Sequence, residues 1–205
     1  HIFSIPFATN NTAIFYRPSL FKEAGITKLP ETWQELQQAA EKLTKDTNED
    51  DRIDRHGISL ALGKGEFTVF CWLPFIFGAN GEIIENDRPN IINEGAISAL
   101  QFGADLVKNN SAILSAPERG FELDNFLAGK AAMQITGPWT LGQLRQSKTD
   151  YDVFPFPFKD TKATVVGGEN LFVFKTNSQQ QRASLKFLEY VLSEEFQTNW
   201  ALKTG

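Results

Sequence analysis

Three groups of side chains in this sequence are of types that recognise a neutral, hydroxyl-rich molecule without making or breaking a bond. Trp139 closes the stretch Met133-Gln134-Ile135-Thr136-Gly137-Pro138-Trp139. Ala132 to Ile135 reads as a short strand, Thr136 or Gly137 as a helix cap, and Pro138 as a first helical residue, where its missing N–H has no intrahelical partner. Trp139 then stands at a strand-to-helix corner, the place where open α/β sheets line their ligand crevices and a flat indole can stack on a ligand. Burial is the commoner fate of a large aromatic, and these seven residues alone favour it. Asn10 and Asn11 carry amides that both donate and accept, which suits polyols; an Asn-rich turn accounts for them equally well. Glu66, Phe70 and Trp72 lie in the apolar run from Glu66 to Gly78. A carboxylate at its start can chelate hydroxyls, although favouring the positive end of a helix dipole is commoner, and aromatics in such a run are more often core.

Covalent chemistry finds little support. The only histidines are His1 and His56, no Gly-x-Ser-x-Gly occurs, and no carboxylate pair stands out in an aromatic setting. A glycoside hydrolase using Glu66 and Glu169 is the enzymatic alternative. Asp46 to Asp54 matches a calcium loop at the oxygen positions one, three, five and nine. Asp51 replaces its glycine and Gly57 its bidentate glutamate, so a solvated acidic turn is the reading and neither metal nor cofactor is expected. Cys71, the single cysteine, has no internal disulfide partner and sits among apolar neighbours as a buried thiol.

Positioning these groups requires a folded core, and 205 residues with 41% hydrophobic content supply one or two domains. The net charge of −5, with Lys and Arg scattered, argues against nucleic acid and anionic membrane surfaces as partners. The longest apolar run, Val69 to Ala79, contains Pro74 and Gly78 and falls short of the ~18 residues of a transmembrane helix.

Ile2 to Phe7 reads as extended, Thr9 to Asn11 as a polar loop, and Thr12 to Tyr16 as a strand. Ser19 to Ala24 is a short helix closed by Gly25. Thr32-Trp33-Gln34-Glu35 is a capping box opening a helix whose stripe of Trp33, Leu36, Ala40 and Leu43 is core. Gly57 to Leu62 is a strand, Glu66 to Gly78 a buried helix, and Asn93-Glu94 a helix start. Phe121 to Ala128 reads as an amphipathic helix and Asp152 to Phe154 as a strand. Gly167-Gly168 interrupts an apolar strand pattern from Val165 to Phe174, marking a bend or a close backbone approach. Ser178 to Gln181 is a second capping box, and Ser193 opens a last helix carrying Phe196 and Trp200. Helices alternating with strands argue for α/β.

The order of these signals resembles one family. Ile5-Pro6-Phe7 before Ala13-Ile14-Phe15-Tyr16, Leu20 to Gly25 with Pro30-Glu31-Thr32-Trp33, Ala131 to Trp139, Gly167-Gly168, and Ala183 to Trp200 are together similar to the extracytoplasmic sugar-binding proteins (family 1) of bacterial ABC importers, the group that includes maltose-binding protein. Arg17 departs from the asparagine usual there. The resemblance implies a periplasmic binding protein-like (type II) fold of two α/β lobes joined by crossing strands, with the sugar trapped between them. Residues 1–165 are then mostly the second lobe, beginning with a crossing strand, and residues 166–205 a hinge crossing and a return to the first lobe. The opening of the first lobe and the closing portion of the chain are expected outside this sequence. The stacking tryptophan falls on Trp139, the hinge-side amide on Asn10 or Asn11, the helix contacts on Glu66, Phe70 or Trp72, and the glycine-pair contacts on Gly168, Glu169 and Asn170. The resemblance further implies a non-enzymatic, monomeric protein, periplasmic or extracellular and anchored by lipid as such proteins often are, that delivers sugar to the transmembrane subunits of an ABC permease. A peptide, polyamine or metal chelate in the same fold is the alternative ligand.

Overall fold

Thr32 and Glu35 make the reciprocal pair that their spacing predicts. The Thr32 hydroxyl accepts from the Glu35 amide at 3.2 Å and the Glu35 carboxylate accepts from the Thr32 amide at 3.0 Å, so two amides that the helix cannot satisfy are bonded at its start. The computed structural model describes residues 4–61, 63, 65–115 and 123–204. In chain order the elements are β1 (Ile5–Asn11), β2 (Ala13–Tyr16), α1 (Pro18–Glu23), α2 (Trp33–Leu43), β3 (His56–Leu60), α3 (Glu66–Gly78), β4 (Ile84–Glu85), β5 (Arg88–Pro89) and α4 (Glu94–Lys108). There follow β6 (Ala112–Leu114), α5 (Asp124–Leu127), β7 (Ala131–Thr136), a 3-10 turn (Pro138–Thr140), α6 (Leu141–Ser147), β8 (Asp152–Phe154), β9 (Val166–Leu171), α7 (Ser178–Val191) and α8 (Glu194–Thr204).

The chain divides into two compact units, Thr12–Val165 and the pair of terminal stretches His1–Asn11 with Val166–Gly205. The first is a layered α/β unit around a five-stranded sheet of order β6-β3-β7-β2-β8. β6, β3 and β7 run parallel, and β2 runs antiparallel to β7 and β8. All six residues of β7 are buried, as a central strand covered on both faces requires. One face packs Ile14, Ile58, Met133 and Ile135 against Leu36, Leu43, Cys71, Phe75 and Leu106 from α2, α3 and α4. The other packs Phe15 against Leu123, Phe126 and Leu144 beside α5 and α6. Trp33 belongs to the core as its spacing predicts, 8% exposed and stacked on Phe102 with ring centroids 4.8 Å apart.

The second unit carries the two-stranded ribbon β1-β9 and the helices α7 and α8. Phe7 lies 5.1 Å from the Trp200 ring, which stacks in turn on Phe196 at 5.8 Å. Gly168 has φ of 156° and its α-carbon faces the Ala8 carbonyl so closely that no Cβ fits, the close backbone approach that a glycine in this strand predicts.

Three local expectations are corrected. Thr9, Asn10 and Asn11 are not a loop but the end of β1, because Gly168, Gly167 and Val166 pair with them and the ladder outweighs the turn preference of asparagine. The helix start near Ser178 is capped one residue earlier, by the Asn177 side chain accepting from the Gln180 amide at 2.9 Å. The short helix after residue 121 spans only Asp124–Leu127 among the described residues, Phe121 and Glu122 lying outside them. Ile2 and Leu62, at the margins of two predicted strands, also lie outside.

Candidate functional site

Parallel strands deliver their carboxyl ends to one edge of a sheet, and here that edge collects β3 and β7. β2, antiparallel, begins at the same edge: Ala13 pairs with Thr136, the last residue of β7. From this edge the chain turns into Pro138–Thr140 after β7 and into α3 after β3. Trp139, Glu66 and Phe70 are thus brought to one end of the sheet by topology.

Two buried threonines hold the Trp139 corner. The Thr140 hydroxyl, 4% exposed, donates to the Gly137 carbonyl at 2.9 Å, and the fully buried Thr136 hydroxyl donates to Thr140 at 3.4 Å. Trp139 itself is 43% exposed, and its six-membered ring lies against the α-carbon of Gly137, where a Cβ would meet Cζ3, Cη2 and Cε3. The helix expected after Pro138 begins as one 3-10 turn and becomes α-helical only from Leu141.

Across the edge, Glu66 is exposed in the first turn of α3 and Phe70 is half-buried. The Phe70 carbonyl accepts from the buried Thr12 hydroxyl at 3.5 Å, and the Thr12 carbonyl accepts from Thr164 at 3.0 Å, which ties the start of β2 to α3. Trp72 is differently engaged. Its Nε1–H donates to the Ala61 carbonyl at 2.9 Å and its ring covers Gly103 of α4, so its apolar and polar parts both serve the packing of α3.

The remaining candidates stand on the β1-β9 ribbon of the other unit. Asn10 pairs with Gly167 and Ala8 with Glu169, so Asn10 and Glu169 share one face of the ribbon, while Asn11, Gly168 and Asn170 take the other. Asn10 is half-buried with Oδ1 shielded and unpartnered, whereas Asn11, Glu169 and Asn170 are exposed.

Arg17, the departure from the resembling family, grips Asp150 with Nε and Nη2 at 3.1 and 3.0 Å, joining β2 to the segment before β8. Burial pushes the Asp150 carboxyl up, but the Ser19 amide and the Arg17 guanidinium outweigh it and hold it below its ordinary range. In the acidic turn, Asp46 Oδ1 accepts from the amides of Asn48 and Glu49 and Oδ2 from that of Asp51, and Asp54 accepts from Thr47. These carboxylates are spent on their own backbone, and no cluster of three or more metal-ligating side chains occurs among the described residues. No helix among the described residues is long and apolar enough to cross a membrane.

Gly137, Thr12, Thr136 and Thr140 escape a reading of residue types, because none carries recognisable chemistry. The doubled threonine around Gly-Pro-Trp is the signal that points to them.

The family described as bacterial extracellular solute-binding protein matches residues 1–198. The maltotriose-binding protein of Pyrococcus abyssi is 24% identical over 197 residues, covering 93% of this chain and 40% of that protein. The sn-glycerol-3-phosphate-binding periplasmic protein of Shigella flexneri is 25% identical over 228 aligned residues, covering the whole chain and 48% of that protein. Among solved structures, the maltose/maltodextrin-binding domain of Bdellovibrio bacteriovorus bound to maltotriose superposes with a TM-score of 0.79 at 27% identity, over 99% of this chain and 53% of its own. The chain therefore spans about half the length of the relatives it matches.

Proposed function

The chain belongs to the bacterial extracellular solute-binding proteins, and from that premise we propose that it binds a mono- or oligosaccharide non-covalently and passes it to the transmembrane subunits of an ABC permease. The family is one of binding proteins rather than enzymes, and a place of action outside the cytoplasmic membrane accompanies the reading. The observation that carries it is Trp139, a large aromatic left 43% exposed at the carboxyl end of a fully buried central strand. A sugar ring has apolar C–H faces and a polar rim. An indole covers a face, while Glu66 on the same edge is of a type that bonds the rim.

The name of the Shigella relative raises a phosphorylated polyol as a second ligand. A dianionic phosphate calls for basic side chains or a helix start free of acid, and here Glu66 occupies the first turn of α3. We therefore place a neutral saccharide first. Calorimetric titration with maltose, maltotriose and sn-glycerol-3-phosphate tests the order. Binding of either sugar, weakened roughly tenfold or more in Trp139→Ala, supports the reading; binding of the phosphate alone removes it, and undiminished sugar binding by the variant removes Trp139 as the residue that carries it.

A further inference from the structure

We infer that Gly137 is a positioning residue for Trp139, holding the indole as a platform with one face on the backbone and one face for ligand. The consequence for affinity rests on the sugar-binding reading above; the geometry does not.

Backbone conformation gives no reason for glycine at 137. Its φ of −140° and ψ of −173° are extended values open to any residue. Gly25 makes the contrast, with φ of 68° and nothing within 4 Å of where a Cβ would stand. At 137 the reason is the ring. A Cβ there would meet Cζ3 most closely, with Cη2 at 2.5 Å and Cε3 at 2.7 Å. An approach in the ring plane would leave the two flanking carbons far behind the central one. Their nearness puts Gly137 over the ring face, so the indole lies flat on the chain.

A side chain at 137 forces a choice of what moves. The backbone there is held by the Thr140 hydroxyl on its carbonyl, with Thr136 behind Thr140, and by the fixed φ of Pro138. The clashing atoms belong to the far end of a side chain with two rotatable bonds. The ring yields, and it leaves its face-on seat for another rotamer. A platform pinned on one side takes a single sugar ring on its other face, and it loses little freedom when the sugar arrives.

The test combines a ligand-free readout with a titration. The protein is labelled with 5-fluorotryptophan, its four tryptophan signals are followed by fluorine NMR, and Trp139 is assigned by its absence in Trp139→Phe. Gly137→Ala should move the Trp139 resonance and leave those of Trp33, Trp72 and Trp200 in place. In the Trp139→Ala background, Gly137→Ala should change neither the melting temperature nor the affinity further, since the clashing ring is gone. With maltotriose as the probe, Gly137→Ala alone should weaken binding by about as much as Trp139→Ala, roughly tenfold or more. An unmoved Trp139 resonance, or a double variant less stable than Trp139→Ala, overturns the inference by assigning the glycine to backbone packing. Loss of maltotriose binding in Trp139→Ala with full binding in Gly137→Ala also overturns it. A moved resonance with maltotriose affinity untouched in both variants removes the indole from the sugar contact, and a moved resonance in a protein that binds neither maltose nor maltotriose sinks the sugar-binding reading; both leave the positioning role standing.

Discussion

Ala40 of α2 and Gly57 of β3 meet backbone to backbone: a Cβ at 57 would run into the carbonyl oxygen, α-carbon and carbonyl carbon of Ala40. The helix can lie this close to the sheet only where the strand offers no side chain. Neither partner can swing aside, so Gly57→Ala should lower stability by about 1–3 kcal/mol or more, read as a fall in the urea midpoint. Gly142 is the opposite case, a glycine inside α6 with nothing within 4 Å of its would-be Cβ. Gly142→Ala should raise stability by about 0.5–1 kcal/mol.

The capping box makes α2 sensitive to one hydroxyl. Thr32→Ala strips the Glu35 amide of its acceptor and should cost about 1 kcal/mol. For a chain of this length that is roughly 2–4 °C in melting temperature. An unchanged melting curve would show that the start of α2 is held by its packing alone.

Glu23 links α1 to Arg55 and Lys45, accepting at 3.1 Å from Arg55 Nη2 and at 2.9 Å from Lys45 Nζ. Hydrogen bonds from Arg55, then from Lys45, hold its carboxyl down to about 2, against an ordinary 4.5. A depressed carboxyl favours the folded state above its unfolded value and loses that contribution as pH falls from 4.5 towards 2. The Glu23 side chain is 44% exposed, so solvent screening keeps the contribution near 1 kcal/mol or below. Glu23→Gln should therefore be less stable than the parent at pH 7, and the gap between their urea midpoints should narrow by pH 3. A gap independent of pH would assign the loss to packing rather than charge.

Phe70 and Trp72, indistinguishable by residue type in one apolar helix, should separate by experiment. Trp72→Phe loses the bond to Ala61 and part of the cover over Gly103, so it should lower stability by about 1 kcal/mol or more while leaving sugar affinity within about twofold. Phe70→Ala should weaken sugar binding by a larger factor than Trp72→Phe does. Parallel denaturation and calorimetry on the two variants decide it, and a reversed order of affinities would return Trp72 to the ligand side.

Helices with strong local signals were legible from the chain itself. The box at Thr32 and Glu35, the Asn93 cap and the bounds of α3 at Glu66 and Gly78 stand as their residues predict, because caps and apolar runs act over three or four positions. What failed at Asn10, Asn11 and Trp72 depended on distant pairing. Asn10 and Asn11 read as a turn because nothing nearby reveals that the partners Gly167 and Val166 extend the strand. The engagement of Trp72 was hidden for the same reason, since Ala61 and Gly103 flank it from eleven residues before and thirty-one after. Trp139 read locally as core, and the resemblance argued otherwise; its exposure follows from its place beyond the sheet edge. The face-on seat on Gly137 has no trace in composition or periodicity.

The pairing of Ile5 with Leu171 carries a kinetic consequence. To bring these residues together the chain must close a loop that contains every strand of the five-stranded sheet, an entropy loss that grows with the logarithm of the loop length. Collapse of Thr12–Val165 beforehand shortens that excursion to the distance between two ends of a packed body. Synthesis from the amino terminus then leaves Ile5–Asn11 without its β9 partner until residue 171 has emerged.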